Sequence, residues 1–225
     1  PEIVPVVRKH GLWLHADGSF GGSILLSRKR RHLLDGIESA DSFGWNPHKA
    51  MNIPLMCSAI LVREKNTLLK TLPVGDADYL YHDTGREQFD LGKMSVQCGR
   101  RVDALKLWLA WKYHGDRGYE RRIDRLFELT EYFRKAIESA PDFELLAPVQ
   151  SLTVCFRRIP PDGADANAYT QAHRERLLQI GKSMVNFGYL GETAALRYAA
   201  VNPDVTPEDL DRFIEHLREA ADDIP

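Results

Sequence analysis

The sequence predicts an α/β fold followed by a smaller α+β region, and three observations carry that expectation. Short apolar runs alternate with helix-like segments from residue 12 to residue 62. The runs end in polar or glycine-rich turns, as strand tips do in a covered sheet. Beyond about residue 115, helix and strand patterns alternate again at shorter range.

Taken in order, Pro1-Glu2-Ile3-Val4 leads into a helix-like segment ending in Lys9-His10-Gly11, with Gly11 as its cap, and Leu12 to Ala16 reads as a strand ending at Asp17. A loop with Gly18, Gly21 and Gly22 precedes an expected helix over Leu26 to Leu34, closed by Gly36. Ser42 to Trp45 reads as a strand ending in Asn46-Pro47-His48-Lys49, and Cys57 to Val62 as a continuous apolar strand in a sheet covered on both faces. Residues 76 to 94 lack a clear period and read as a long loop. Val102, Leu105 and Leu109 mark a helix ending near Gly115, and Ile123 to Ile137 mark a second helix that Pro141 stops. Phe143 to Leu146, Leu152 to Ile159, Met184 to Phe187 and Leu196 to Val201 read as strands, and Ala168 to Ile180 as a helix. Thr206-Pro207-Glu208-Asp209 announces the last helix, with Thr206 as its cap. The expected division is 1–114, containing the loop, and 115–225.

Composition excludes several function classes. A chain of 225 residues with 44% hydrophobic side chains buries a real core. Thirty Lys and Arg against 32 Asp and Glu leave a net charge of -2, so no global field attracts nucleic acid or anionic lipid. The basic run Arg28 to His32 reads as a solvated face. Cys57, Cys98 and Cys155 are too far apart for a metal knuckle or a disulfide framework, and a reducing cytoplasm is the expected home. No apolar stretch approaches the ~20 residues of a membrane span. His15 and Asp17 lack a third ligand at useful spacing, so no metal site is expected. The glycines at 18, 21 and 22 spell no nucleotide-binding loop.

The chemistry-bearing pair is Asp17 and Lys49. Each follows an apolar strand, and strand ends form the ligand crevice of α/β sheets. A partly desolvated lysine amine forms Schiff bases, and a neighbouring carboxylate holds a ring nitrogen protonated; pyridoxal phosphate chemistry needs both groups. Asp and Lys at such positions are otherwise commonly solvated surface charges.

The segments His15-Ala16-Asp17-Gly18-Ser19-Phe20-Gly21-Gly22 and Asn46-Pro47-His48-Lys49 resemble the group II pyridoxal-phosphate-dependent amino acid decarboxylases. Cys57-Ser58-Ala59-Ile60-Leu61-Val62, the run Gln97-Cys98-Gly99-Arg100 to Trp108, and Leu196-Arg197-Tyr198 extend the resemblance along the chain. The Gln-Cys-Gly-Arg form is similar to the glutamate and cysteine sulfinate branch. The resemblance implies the aspartate aminotransferase-like fold (fold type I), represented by the C-terminal part of its large domain and the small domain. It implies pyridoxal 5'-phosphate as cofactor and decarboxylation of an acidic L-amino acid: glutamate, aspartate or cysteine sulfinate. By position, Lys49 resembles the Schiff-base lysine, Asp17 the partner of the pyridinium nitrogen, and Arg197 the arginine that grips a substrate carboxylate. Asn46, His48 and Ser42 resemble residues at the cofactor phosphate or the pocket beside it.

Two departures from the family pattern stand out. Gly18-Ser19 replaces two alanines, placing the Ser19 hydroxyl near the cofactor ring. The loop lacks a tyrosine at the family's proton-donor position, where Gly85 or Leu91 aligns, so Tyr81 or His82 is the candidate acid. Arg197 has a bland alternative as a surface ion pair, and Tyr81 and His82 as ordinary loop residues. The resemblance further implies an N-terminal half outside this chain and a homodimer or its split equivalent. The alternative reading is a non-catalytic fragment or assembly subunit of a split enzyme.

Overall fold

The computed structural model describes residues 1–72, 81–82, 85–86, 89, 91–97, 99–222 and 224. It divides into two compact units: residues 1–49 with 53–116, and residues 50–52 with 117–225.

The first unit begins with α1 (Ile3–Lys9), which ends as expected: Gly11 takes φ +60°, a left-handed conformation that costs glycine little. Strands β1 (His15–Gly18), β2 (Ser42–Trp45) and β3 (Ala59–Val62) form one sheet in the order β1-β2-β3. β1 and β2 run parallel, with His15 opposite Ser42 and Asp17 opposite Gly44. β3 returns antiparallel to β2. The Arg8 guanidinium and the Leu14 amide both reach the Asp41 carboxylate, at 3.0 and 2.8 Å, tying α1 and the entry to β1 to the start of β2.

Two expectations need correction here. The helix expected over Leu26 to Leu34 is instead two short 3-10 turns, Gly21–Leu26 and Arg31–Leu34. The Ser27 carbonyl accepts from the amides of Arg30 and Arg31, and the Ser27 hydroxyl also accepts from Arg30 N. That local bonding competes with helix propagation. The sheet is also not covered on both faces among the described residues: Ile60 and Leu61 on β3 are about half exposed. A short helix, α2 (Thr67–Thr71), follows. Much of the expected long loop, Tyr79 included, lies outside the described residues, as does Cys98.

The long helix α3 (Asp103–Ser139) is broken at Gly115, whose φ of 65° and ψ of 175° end one run of helical turns and start the next. Its second run belongs to the second unit. There the sheet is fully antiparallel in the order β4-β5-β7-β6, built from β4 (Phe143–Leu145), β5 (Thr153–Arg158), β6 (Asn186–Leu190) and β7 (Thr193–Ala199). α4 (Ala166–Gln179) and α5 (Pro207–Asp222) complete the unit. The sheet's inner side chains, Phe143, Val154, Phe156 and Leu196, pack with Leu129, Phe133 and Ile137 of α3, Leu177 of α4 and Ile214 and Leu217 of α5. Burial of this apolar area is the main force holding the unit together.

Helix starts are capped as their sequences dictate. The Asp165 carboxylate accepts from the amides of Asn167 and Ala168 at the start of α4. Thr206 and Asp209 bond reciprocally at the start of α5, with Asp209 N donating to Thr206 Oγ1 and Thr206 N donating to Asp209 Oδ2. Strand alternation places Cys155, Arg197 and Asn186 side by side on the sheet face opposite the core.

Candidate cofactor site

Lys49 and Asp17 meet through one residue. β1 carries Asp17 to its C-terminal end, and the chain then turns so that the Ser19 amide donates to Asp17 Oδ1 at 2.9 Å. β2 ends at Trp45, and the turn Asn46-Pro47-His48-Lys49 closes with Lys49 N donating to the Asn46 carbonyl at 2.9 Å. This turn brings Lys49 Nζ to 3.2 Å from the Ser19 hydroxyl. Amine, hydroxyl and carboxylate therefore form a row across the tips of two parallel neighbouring strands. Hydrogen bonds from the Ser19 backbone and hydroxyl hold the Asp17 carboxyl below the usual carboxylate range, with smaller contributions from the Lys49 and His15 charges. Asp17 is exposed and Lys49 half-buried, so both are open to a ligand.

The other expected cofactor residues lie in the same unit. His48 turns its ring onto the Cys57 backbone, with Nδ1 2.7 Å from the Cys57 carbonyl oxygen and 3.1 Å from its nitrogen; Nε2 is the ring atom left to other partners. The Asn46 side chain makes no hydrogen bond among the described residues. Ser42 is buried, and its hydroxyl is engaged by two groups that sequence reasoning did not assign to the site: Trp13 Nε1 at 2.8 Å and His15 Nδ1 at 2.7 Å. The signal that would have found them is the period of two that sets Trp13, His15 and Asp17 on one side of an extended chain.

The remaining candidates are Tyr81, His82 and Arg197. The Tyr81 hydroxyl donates to the Gly92 carbonyl at 3.4 Å, within its own segment, and His82 is exposed. Among the described residues, no hydrogen bond joins either to Asp17, Ser19 or Lys49. Arg197 is exposed on β7 and makes no hydrogen bond or ion pair among the described residues, unlike Arg157 on β5, which bonds Glu144 at 2.7 Å. Burial pushes up the thiols of Cys57 and Cys155, which argues against either as an activated nucleophile. No group of three or more His, Cys, Asp or Glu suited to a metal ion occurs among the described residues, and no helix among them is long and apolar enough to cross a membrane.

An amine and an acid at adjoining strand tips suit pyridoxal phosphate chemistry, and comparison with known proteins gives the family of the chain. The profile described as "Pyridoxal-dependent decarboxylase conserved domain" matches residues 1–159. The chain belongs to this family. The rat cysteine sulfinic acid decarboxylase is 40% identical across 99% of this chain and 48% of its own length. The bovine acidic amino acid decarboxylase GADL1 is 37% identical across 96% of this chain and 44% of its own. Among solved structures, mouse CSAD superposes with a TM-score of 0.87 and 39% identity, covering 99% of this chain and 48% of that one. The chain thus spans about half the length of the curated relatives it matches. The α/β fold expected from the sequence, part of fold type I, is the one these decarboxylases share, and the cofactor of the family is pyridoxal phosphate.

Proposed function

We propose that this chain acts in a pyridoxal-phosphate-dependent carboxy-lyase that decarboxylates an acidic L-amino acid: cysteine sulfinate, aspartate or glutamate. The observation that carries the reading is the Lys49–Ser19–Asp17 row at the tips of β1 and β2. Lys49 would hold the cofactor covalently through its aldehyde carbon. Asp17, kept ionised by the Ser19 hydrogen bonds, would face the pyridinium nitrogen. Asn46 and His48 would line the phosphate side, with Ser19 and Ser42 supporting the ring side. The bound pyridinium supplies an electron sink for the pair left behind when carbon dioxide departs. Arg197, with no competing carboxylate among the described residues, is available to clamp a substrate carboxylate in bidentate fashion and orient it. Tyr81 or His82 would return a proton to the substrate carbon. The names of the relatives support the acidic substrate class.

In this reading residues 1–114 supply the C-terminal part of the cofactor domain and 115–225 the small domain. An N-terminal half completes the enzyme in the cytoplasm, as a homodimer or its split equivalent. Support comes from apolar side chains left uncovered in the first unit, Ile60 and Leu61 on β3 and Val102, Leu105, Trp108 and Leu109 around the first turns of α3. The same surface favours a second reading, a non-catalytic assembly subunit of a split decarboxylase.

Borohydride trapping separates the two. Pyridoxal phosphate is added to the chain with and without the N-terminal half, reduced, and the modified lysine located by mass spectrometry; carbon dioxide release is then followed with each acidic amino acid and with aromatic ones. Stoichiometric modification at Lys49, lost in Lys49→Ala, and turnover of an acidic substrate are expected. A complete assembly that carries no adduct at Lys49 ends the catalytic reading.

A further inference from the structure

The polar groups beside Asp17 form a second row. Ser42 is 6% exposed, and its hydroxyl sits between Trp13 Nε1 at 2.8 Å and His15 Nδ1 at 2.7 Å. An indole nitrogen only donates, so Trp13 occupies a lone pair of Ser42. The second lone pair of Ser42 is open to an Nδ1–H, but the buried hydroxyl would then have no acceptor for its own hydrogen among the described residues; His15 Nδ1 therefore accepts that hydrogen, and the proton of the neutral imidazole resides on Nε2. His15 and Asp17 lie two apart on β1, and their partners on β2 are Ser42 and Gly44, so all four share one sheet face. A Cβ built on Gly44 would lie 3.7 Å from both Cε1 and Nε2 of His15. The Nε2 edge of the ring therefore overlies Gly44, the residue directly across from Asp17.

The tautomer decides what that edge does. With the proton on Nε2 it presents positive hydrogen-bonding character beside the carboxylate; with the proton on Nδ1 it would present a lone pair and repel it. We propose that His15 is a positioning residue of the cofactor site: the Trp13–Ser42 pair fixes its Nε2–H tautomer and so sets an N–H-bearing edge alongside the Asp17 carboxylate, orienting that carboxylate for the pyridinium nitrogen. The role in orienting Asp17 rests on the proposed cofactor reading, whereas the tautomer itself is measurable without any cofactor.

The test uses the whole 225-residue chain labelled with nitrogen-15 histidine. Long-range proton–nitrogen correlation at pH 8 reads the His15 tautomer in the wild type, Ser42→Ala, Ser42→Thr and Trp13→Phe. The wild type and Ser42→Thr are expected to hold the Nε2–H form, and Ser42→Ala and Trp13→Phe to admit the Nδ1–H form. Pyridoxal phosphate affinity of the chain assembled with the N-terminal half, read by absorbance and by the fraction of Lys49 trapped with borohydride, is expected to weaken about threefold to tenfold in Ser42→Ala and to recover in Ser42→Thr. A wild-type His15 in the Nδ1–H form, or a tautomer indifferent to Ser42→Ala, overturns the proposal. A shifted tautomer with unchanged affinity overturns the positioning role alone. Absence of any Lys49 adduct in the wild-type chain assembled with the N-terminal half overturns the cofactor reading, and the positioning role with it, while the tautomer result stands by itself.

Discussion

Replacing Arg197 by alanine should separate function from folding. On the exposed face of β7 the guanidinium has no hydrogen bond or ion pair among the described residues, so its removal breaks none of the hydrogen bonds or ion pairs described. Substitutions of that kind change stability by about 0.5 kcal/mol or less. If the same guanidinium clamps a substrate carboxylate, alanine removes two charge-assisted hydrogen bonds. Each is worth about 1.5–3 kcal/mol, and together, allowing for non-additivity, they contribute about 3–4 kcal/mol. At about 1.4 kcal/mol per decade, kcat/KM should fall on the order of a hundredfold to a thousandfold. Arg197→Lys keeps the charge but not the planar fork and should recover only part of the loss. The assay pairs kcat/KM for cysteine sulfinate, measured on the decarboxylating preparation, with the urea midpoint of the chain. Turnover within about threefold of wild type in Arg197→Ala would refute the clamp, and so would a loss of activity matched by a loss of stability.

Three further outcomes are expected. Phe133, fully buried among the rings of Phe156, Tyr198 and Phe213 at 4.6–5.7 Å, should cost about 3–5 kcal/mol when cut to alanine, read as a lower urea midpoint, while Tyr113→Ala at an exposed position should cost almost nothing. Ser19→Ala removes the hydroxyl bond to Asp17 but leaves the backbone one, so the Asp17 carboxyl midpoint in a carbon-13 titration should rise part of the way back toward 3.8. His173 is buried in α4 with Nε2 donating to the Leu217 carbonyl at 2.7 Å, and burial holds its pKa below the ordinary 6.5. The unfolded chain therefore takes up this proton first, so its contribution is fully present above about pH 6.5 and declines as pH falls toward the folded value. The urea midpoint should drop from pH 7 toward pH 5, and His173→Gln should flatten that slope. Asp142 and Asp209, both depressed by hydrogen bonds, act lower, stabilising above 3.8 and failing as pH falls further.

The parts of the fold legible in sequence are those where one local signal decides. Ser42 to Trp45 is a strand to the residue, because four residues lie between a turn and the Asn-Pro break. The start of α5 follows directly from Thr206, Pro207 and Asp209. The stretch 26–34 has helical apolar spacing, yet Ser27 captures the amides of Arg30 and Arg31 and stops propagation. β6 runs Asn186–Leu190, later than the expected Met184–Phe187, since its extent is set by pairing with β7. The site shows the same contrast. Strand-end position and motif single out Asp17 and Lys49, but not that a single hydroxyl bridges them. The Trp13–Ser42–His15 row depends on the register between β1 and β2, which no local pattern encodes.

The Phe43 ring lies where methyl groups on two glycines would have to go. A Cβ on Gly18 would come within 2.3 Å of its Cε2, and one on Gly22 within 2.6 Å of its Cζ. An alanine directly after Asp17 would therefore collide with this aromatic rotamer on the next strand, and its Cβ would also lie 2.9 Å from the Gly44 carbonyl oxygen. A smaller residue 43 would clear the ring but not that carbonyl, so the bare edge of β1 at this point is demanded by the neighbouring backbone as much as by the phenyl group, and no exchange at position 43 alone makes room for a methyl there.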